Sequence, residues 1–191
     1  MRLGNTEIEL PVVQAGMGGG LSGHELAAAV SAAGGLGTIA TLGSEAISRE
    51  LAAARALTDR PLAVNLLLPF ARRDWFEAAA GADVVVTFWG APRRRVPGTW
   101  LHQCGSVDEA LAARAAGADG VIAQGVEAGG HVRGTTPALE LLERVRAHLP
   151  ADYPVLSAGG VAERDDVARA LEAGANGAVA GTRFLLSDES R

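Results

Sequence analysis

Three short segments of this 191-residue chain repeat one design, and they limit the possible folds more than any other feature. Gly81-Ala82-Asp83 leads into Val84-Val85-Val86, Gly117-Ala118-Asp119-Gly120 into Val121-Ile122-Ala123, and Gly174-Ala175-Asn176-Gly177 into Ala178-Val179-Ala180. In each, a glycine able to take the left-handed conformation ends a helix-forming stretch, and an apolar run of strand length begins almost at once. The same alternation over the whole chain predicts strands at 11–16, 37–42, 62–68, 83–89, 100–104, 120–124, 154–158 and 178–181. It predicts helices near 23–33, 45–57, 73–80, 107–116, 137–148 and 164–173. Ser106-Val107-Asp108-Glu109 has the pattern of a capping box. Thr136-Pro137 puts a proline at a first helical position. Continuous apolar strands alternating with helices call for a parallel sheet covered by helices. Eight such units predict an α/β fold of the closed (β/α)8 barrel type rather than an open, doubly wound sheet.

The chain, 1–191, reads as a single domain. It is shorter than the roughly 250 residues typical of such barrels. The connection over 90–99 is too short and too interrupted by proline for a normal helix, and the sequence ends soon after the eighth strand. The expectation is therefore a truncated or cut-down barrel without its C-terminal helix. The outer face of its eighth strand would then be bare, and a partner such as a second copy, or instability, is expected.

Composition excludes several classes of function. A net charge of −5 and only 4% aromatic residues argue against nucleic-acid binding. No run approaches the roughly 18 apolar residues that span a bilayer, and Met1 to Leu10 lacks the apolar core of a signal peptide. A soluble, cytoplasmic protein without membrane contact is expected. The single cysteine, Cys104, excludes an internal disulfide, and no spacing of His, Cys and carboxylates suggests a metal site. Lysine is absent, which removes a P-loop lysine and a Schiff-base lysine. Phosphate must be held by arginine or by backbone N–H groups.

Barrel chemistry sits at the carboxyl ends of the strands. Here those positions are rich in glycine and uncharged amides, as suits a large planar cofactor approached closely by backbone. Gly159-Gly160 and Gly181-Thr182 end the seventh and eighth strands, where barrel phosphate sites are commonly built. Asn65 interrupts an apolar strand and Gln124 ends the sixth; a buried amide must find partners, either within the barrel or on a ligand. His131 lies in the glycine-rich loop 127–134 and is the candidate catalytic residue. His24 reads as a helix-start or rim residue, His102 and Cys104 as packed, and His148 as a complement to a helix dipole. Arg93-Arg94-Arg95 reads as a solvated charge run.

At these residues the chain resembles the nitronate monooxygenases, formerly called 2-nitropropane dioxygenases, and the related FMN-dependent enoyl-ACP reductases. The matching segments begin with Pro11-Val12-Val13-Gln14-Ala15-Gly16-Met17, Ala33-Gly34-Gly35-Leu36-Gly37 and Val64-Asn65-Leu66. Ala123-Gln124-Gly125-Val126-Glu127-Ala128-Gly129-Gly130-His131, Ala158-Gly159-Gly160-Val161 and Gly181-Thr182-Arg183-Phe184 follow in family order. The resemblance implies a barrel that binds FMN and no metal. It places flavin contacts at Ala15, Gly16, Met17, Asn65, Gln124, Gly129, Gly130, Gly159, Gly160, Val179, Ala180, Gly181 and Thr182, and the catalytic histidine at His131.

The activity so implied is oxidation of an alkyl nitronate by dioxygen to a carbonyl compound and nitrite. The alternatives are an FMN-dependent NAD(P)H enoyl-thioester reductase and a catalytically inactive barrel fragment. Gln124 favours the monooxygenase, because the reductases tend to carry Glu there. Three departures from the family stand out: Val132 separates His131 from Arg133-Gly134, the 90–99 connection is short, and relatives continue with a helical segment beyond the Gly-Thr-Arg-Phe motif.

Overall fold

The structure is a computed structural model that describes residues 1–91, 96 and 98–190. Two short strands, β1 (Arg2–Leu3) and β2 (Thr6–Glu7), form an antiparallel pair. Eight parallel strands follow: β3 (Val12–Gln14), β4 (Gly37–Ile39), β5 (Leu62–Leu67), β6 (Val84–Phe88), β7 (Thr99–Cys104), β8 (Gly120–Gln124), β9 (Val155–Ala158) and β10 (Gly177–Ala180). Each pairs with the next from β4 to β10, and β10 pairs with β3. A parallel bridge between Val13 and Leu36 closes the ring. The Gln14 N–H donates to the Leu36 carbonyl at 2.9 Å, and the Leu36 N–H to the Val12 carbonyl at 3.0 Å. The expected barrel is the fold observed.

Six α-helices alternate with these strands among the described residues: α1 (His24–Ala32), α2 (Ser44–Leu57), α3 (Arg73–Ala79), α4 (Val107–Ala115), α5 (Ala138–His148) and α6 (Arg164–Glu172). A 3-10 turn spans Thr182–Leu186. The arginine run Arg93-Arg94-Arg95 lies outside the described residues.

The repeated joints set the register of the barrel. The Asp83 carboxylate accepts the Leu62 N–H at 2.8 Å, while the Asp83 N–H donates to the Leu62 carbonyl at 3.0 Å. Asp119 clamps both backbone groups of Trp100 in the same way, at 2.9 and 2.8 Å. Asn176 does so to Val155, at 2.8 Å for both bonds. Each Asp or Asn thus satisfies an N–H in the first two residues of the preceding strand and fixes the pairing from its base, where one step of slippage would turn every side chain to the wrong face.

Two local expectations are corrected. Gly117 and Gly174 take positive φ, +93° and +95°, but Gly81 does not. Gly81 is small for packing: a Cβ there would come within 3.1 Å of Leu51 Cδ2. The capping box at α4 is half formed, because Ser106 Oγ accepts the Glu109 N–H at 3.2 Å but the Glu109 carboxylate accepts from Gly105, at 2.8 Å. Pro137 stands one position ahead of the first helical residue, as the N-cap of α5.

Alternation along the strands divides the core into two layers. Val13, Leu36, Ala63, Val84, Val86, Leu101, Ile122, Leu156 and Val179 fill the barrel interior. Residues of opposite parity, among them Val64, Val85, Trp100, Cys104 and Val121, pack under the helices. Leu3 and Ile8, from the β1–β2 hairpin, join the interior cluster and are fully buried, so the hairpin plugs the amino-terminal end of the barrel. Nothing in the alternating pattern announced this plug, because two-residue strands carry no period. β10 is buried along its length, with α6 against it. The expected bare strand face is absent: the outward-facing Ala178 is fully buried in the layer under the helices.

Candidate active site

The interior parity that runs through Ala63, Val86, Leu101 and Ile122 brings Asn65, Phe88, Gln103 and Gln124 to the carboxyl-terminal mouth. Gln103 is a further amide, at a strand end legible in the sequence but without an assigned role there. Its position two residues beyond the interior Leu101 was the available signal.

The segment 124–131 can be read residue by residue. Gln124 is buried; its Nε2 donates to the His131 carbonyl at 3.0 Å, and its Oε1 has no partner. Gly125 lies so close to α5 that a Cβ would stand 2.2 Å from the Ala138 nitrogen. Glu127 accepts the Ala138 N–H at 2.9 Å, a carboxylate at a helix N-terminus where the dipole favours it. A Cβ at Gly129 would stand 2.7 Å from Thr182 Oγ1, which brings the turn after β8 against the turn after β10. Gly130 has φ +75° and turns the chain into His131.

The other candidate residues meet at the same end. A Cβ on Gly16 would clash with Asn65, at 2.5 Å from its Cβ, and one on Gly181 would lie 3.4 Å from Ala15 Cβ and 3.8 Å from Met17 Sδ. Gly159 lies against Ala128 and Glu127. Gly159 and Gly160 have φ +128° and +68°, and their N–H groups have no acceptor among the described residues. Val179 and Ala180 are buried in β10 below Gly181 and Thr182. Ala15, Gly16, Met17, Asn65, Gln124, Gly129, Gly130, Gly159, Gly160, Gly181 and Thr182 thus surround one mouth.

The His131 side chain is exposed and makes no hydrogen bond among the described residues. Its ring contact among the described residues is the indole of Trp89, edge to face, with centroids 5.2 Å apart and planes at 89°. Two residues on, Arg133 pairs with Glu109 at 2.6 Å, and Gly134 is pressed against Gly105. Trp89 is the one non-glycine residue with positive φ, +64°, among the described residues. For a bulky L-residue that conformation costs on the order of 1–2 kcal/mol, and such strain concentrates at functional sites.

The remaining candidates have structural roles. His102 Nδ1 lies 2.8 Å from Thr87 Oγ1, which also accepts the Trp100 indole N–H at 2.8 Å. Burial pushes the His102 pKa down to about 4, with Arg133 adding to the shift and Glu109 opposing it. Burial pushes the Cys104 thiol up to about 12, so it is no nucleophile. His24 Nδ1 lies 2.7 Å from Glu50, and His148 Nδ1 lies 2.8 Å from the Arg144 carbonyl in the last turn of α5. Among the described residues no three His, Cys, Asp or Glu side chains gather as metal ligands do, and no helix is long and apolar enough to cross a membrane.

The model of the nitronate monooxygenase family matches residues 2–90 and 93–191. The chain belongs to the nitronate monooxygenase family. It is similar to a nitronate monooxygenase of Pseudomonas aeruginosa, 35% identical over 96% of this chain and 68% of that protein. It is 33% identical to a (3aS,4S,5R,7aS)-5-hydroxy-7a-methyl-1-oxo-octahydro-1H-indene-4-carboxyl-CoA dehydrogenase of Mycobacterium tuberculosis, over 96% of this chain and 54% of that one. FabK from Thermotoga maritima superposes with a TM-score of 0.89 at 34% identity, over 96% of this chain and 61% of FabK. The chain therefore spans between about half and two thirds of the length of these proteins.

Proposed function

We propose that the chain supports flavin-dependent oxidation of alkyl nitronates by dioxygen, to a carbonyl compound and nitrite, with FMN as the flavin. The observation that carries this reading is the meeting of the turns after β8, β9 and β10 around one mouth, with the His131 imidazole at its edge. The mouth fits a flavin mononucleotide. The unpaired Gln124 Oε1 and the Asn65 amide suit the polar edge of a ring or ribityl chain. The N–H groups of Gly159 and Gly160, without an acceptor among the described residues, suit a phosphate. Bound FMN would supply an electron acceptor that dioxygen can reoxidise.

The chain's own residues do the rest. The Gln124 bond to the His131 carbonyl holds the loop over the mouth. The ion pair of Arg133 with Glu109 fixes the loop beyond it. An imidazole so held can donate to the oxygens of a nitronate, or take the proton from the carbon that bears a neutral nitro group. The substrate is a small molecule that reaches the mouth together with dioxygen.

The test is oxygen uptake by FMN-loaded protein with propionate 3-nitronate or ethylnitronate in the absence of NADH. Nitrite release that follows substrate concentration supports the reading, and none overturns it.

One observation favours a second reading, an FMN-dependent oxidoreductase of thioesters using NAD(P)H. The match to the mycobacterial carboxyl-CoA dehydrogenase runs over 199 aligned positions, and that to the Pseudomonas enzyme over 247, though each takes in 96% of this chain. The Pseudomonas enzyme thus carries many more interposed residues. NADH oxidation that depends on crotonyl-CoA would select this second reading.

A further inference from the structure

We propose that Trp89 is the positioning residue for His131, and that the backbone strain at Trp89 exists to place its indole against the imidazole. The proposal rests on the reading of His131 as the group that handles the anion or the proton.

The backbone around His131 is held on both sides. Gln124 binds its carbonyl at 3.0 Å, and Arg133 is paired with Glu109 at 2.6 Å. The ring itself has no hydrogen-bonding partner among the described residues. A catalytic base is ordinarily oriented by a third group, often a carboxylate. Here the group in contact is an aromatic ring, at 5.2 Å between centroids and 89° between planes. That edge-to-face geometry is the preferred one for aromatic pairs.

Trp89 reaches this position only by leaving the strand pattern. Val84 and Val86 face the barrel interior, and Val85 packs on the outer layer. Continued alternation would send residue 89 outward with Val85 and Thr87. Instead the chain turns through φ +64° at Trp89 and +131° at Gly90. Phe88 braces the indole, with its ring 5.4 Å away at 80°. A glycine would take this turn without strain, so the large side chain is held there against the backbone's preference.

The experiment compares Trp89→Ala and Trp89→Phe in otherwise unchanged and in His131→Ala holoenzyme. With a nitronate, Trp89→Ala should lower kcat on the order of tenfold or more, since misplacement of a reacting group is costly, with KM and FMN affinity within about twofold. Trp89→Phe, which keeps an aromatic edge or face, should stay within about threefold of the parent. In the His131→Ala background, Trp89→Ala should cause no further loss of kcat. An equal loss in both backgrounds, an unchanged kcat, or Phe no better than Ala overturns the proposal.

A second readout does not need turnover. In NMR spectra of histidine-labelled holoenzyme, Trp89→Ala and Trp89→Phe should displace the ring-proton resonances of His131 and leave those of His24 and His148 in place. Unmoved His131 resonances overturn the proposal. Displaced resonances in a protein that turns over no nitronate would support the contact while removing the nitronate reading.

Discussion

The Gln124 side chain donates to the His131 carbonyl at 3.0 Å while its own Oε1 stays buried and unpaired. One amide therefore fastens the loop that carries the imidazole and keeps a buried acceptor that the proposed FMN would satisfy. Gln124→Leu removes both functions at nearly constant volume. One lost hydrogen bond is worth about 1–1.5 kcal/mol, so FMN affinity should fall about five- to tenfold. Hydrogen exchange across 127–134 should also quicken. Equilibrium dialysis with FMN and exchange measured by mass spectrometry check the two effects separately.

The clamp formed by Asn176 on Val155 can be tested without any cofactor. Asn176→Ala leaves the Val155 N–H without its 2.8 Å acceptor at the base of β9. The expected cost is about 1–3 kcal/mol, that of an unsatisfied buried donor, seen as a lower urea midpoint at unchanged slope. Asn176→Asp keeps an acceptor and should lose less. A midpoint unmoved in the alanine variant would show that the repeated Asp or Asn does not hold the strands.

His102 should make stability fall in mild acid. Its pKa is lowered from 6.5 unfolded to about 4 in the fold by burial. The unfolded chain binds the extra proton first, so stability is fully present above pH 6.5 and is lost as pH falls toward 4. The full span corresponds to about 3 kcal/mol. His102→Asn should flatten this pH dependence between pH 7 and 4.5 relative to the parent, measured by denaturant unfolding at each pH. Parallel curves would remove His102 as its source.

Every barrel strand and α-helix among the described residues was legible in the sequence, because long apolar runs and helical periods are set by local chemistry. The meeting of the Gly-rich turns and His131 at one end of the barrel was legible too, since each follows a strand. Other features depended on contacts between distant residues. The β1–β2 plug has no periodicity of its own, and Leu3 and Ile8 gain meaning only inside the closed ring. Glu109 carries a capping pattern but binds Gly105 and Arg133, partners that the fold supplies. Trp89 was legible as the carboxyl end of its strand, where barrel chemistry sits, but its left-handed φ is visible only in three dimensions. Glu127, inside the most distinctive motif, caps α5 rather than facing the mouth.

The most direct test is FMN binding by the chain itself, followed by quenching of flavin fluorescence in the parent and in Gly160→Val. Saturable binding of about one FMN per chain, weakened tenfold or more when a β-branched residue is forced onto the φ of +68° at position 160, is the result expected. No binding by the parent, or equal binding by parent and variant, would contradict the assignment of these turns to the flavin phosphate.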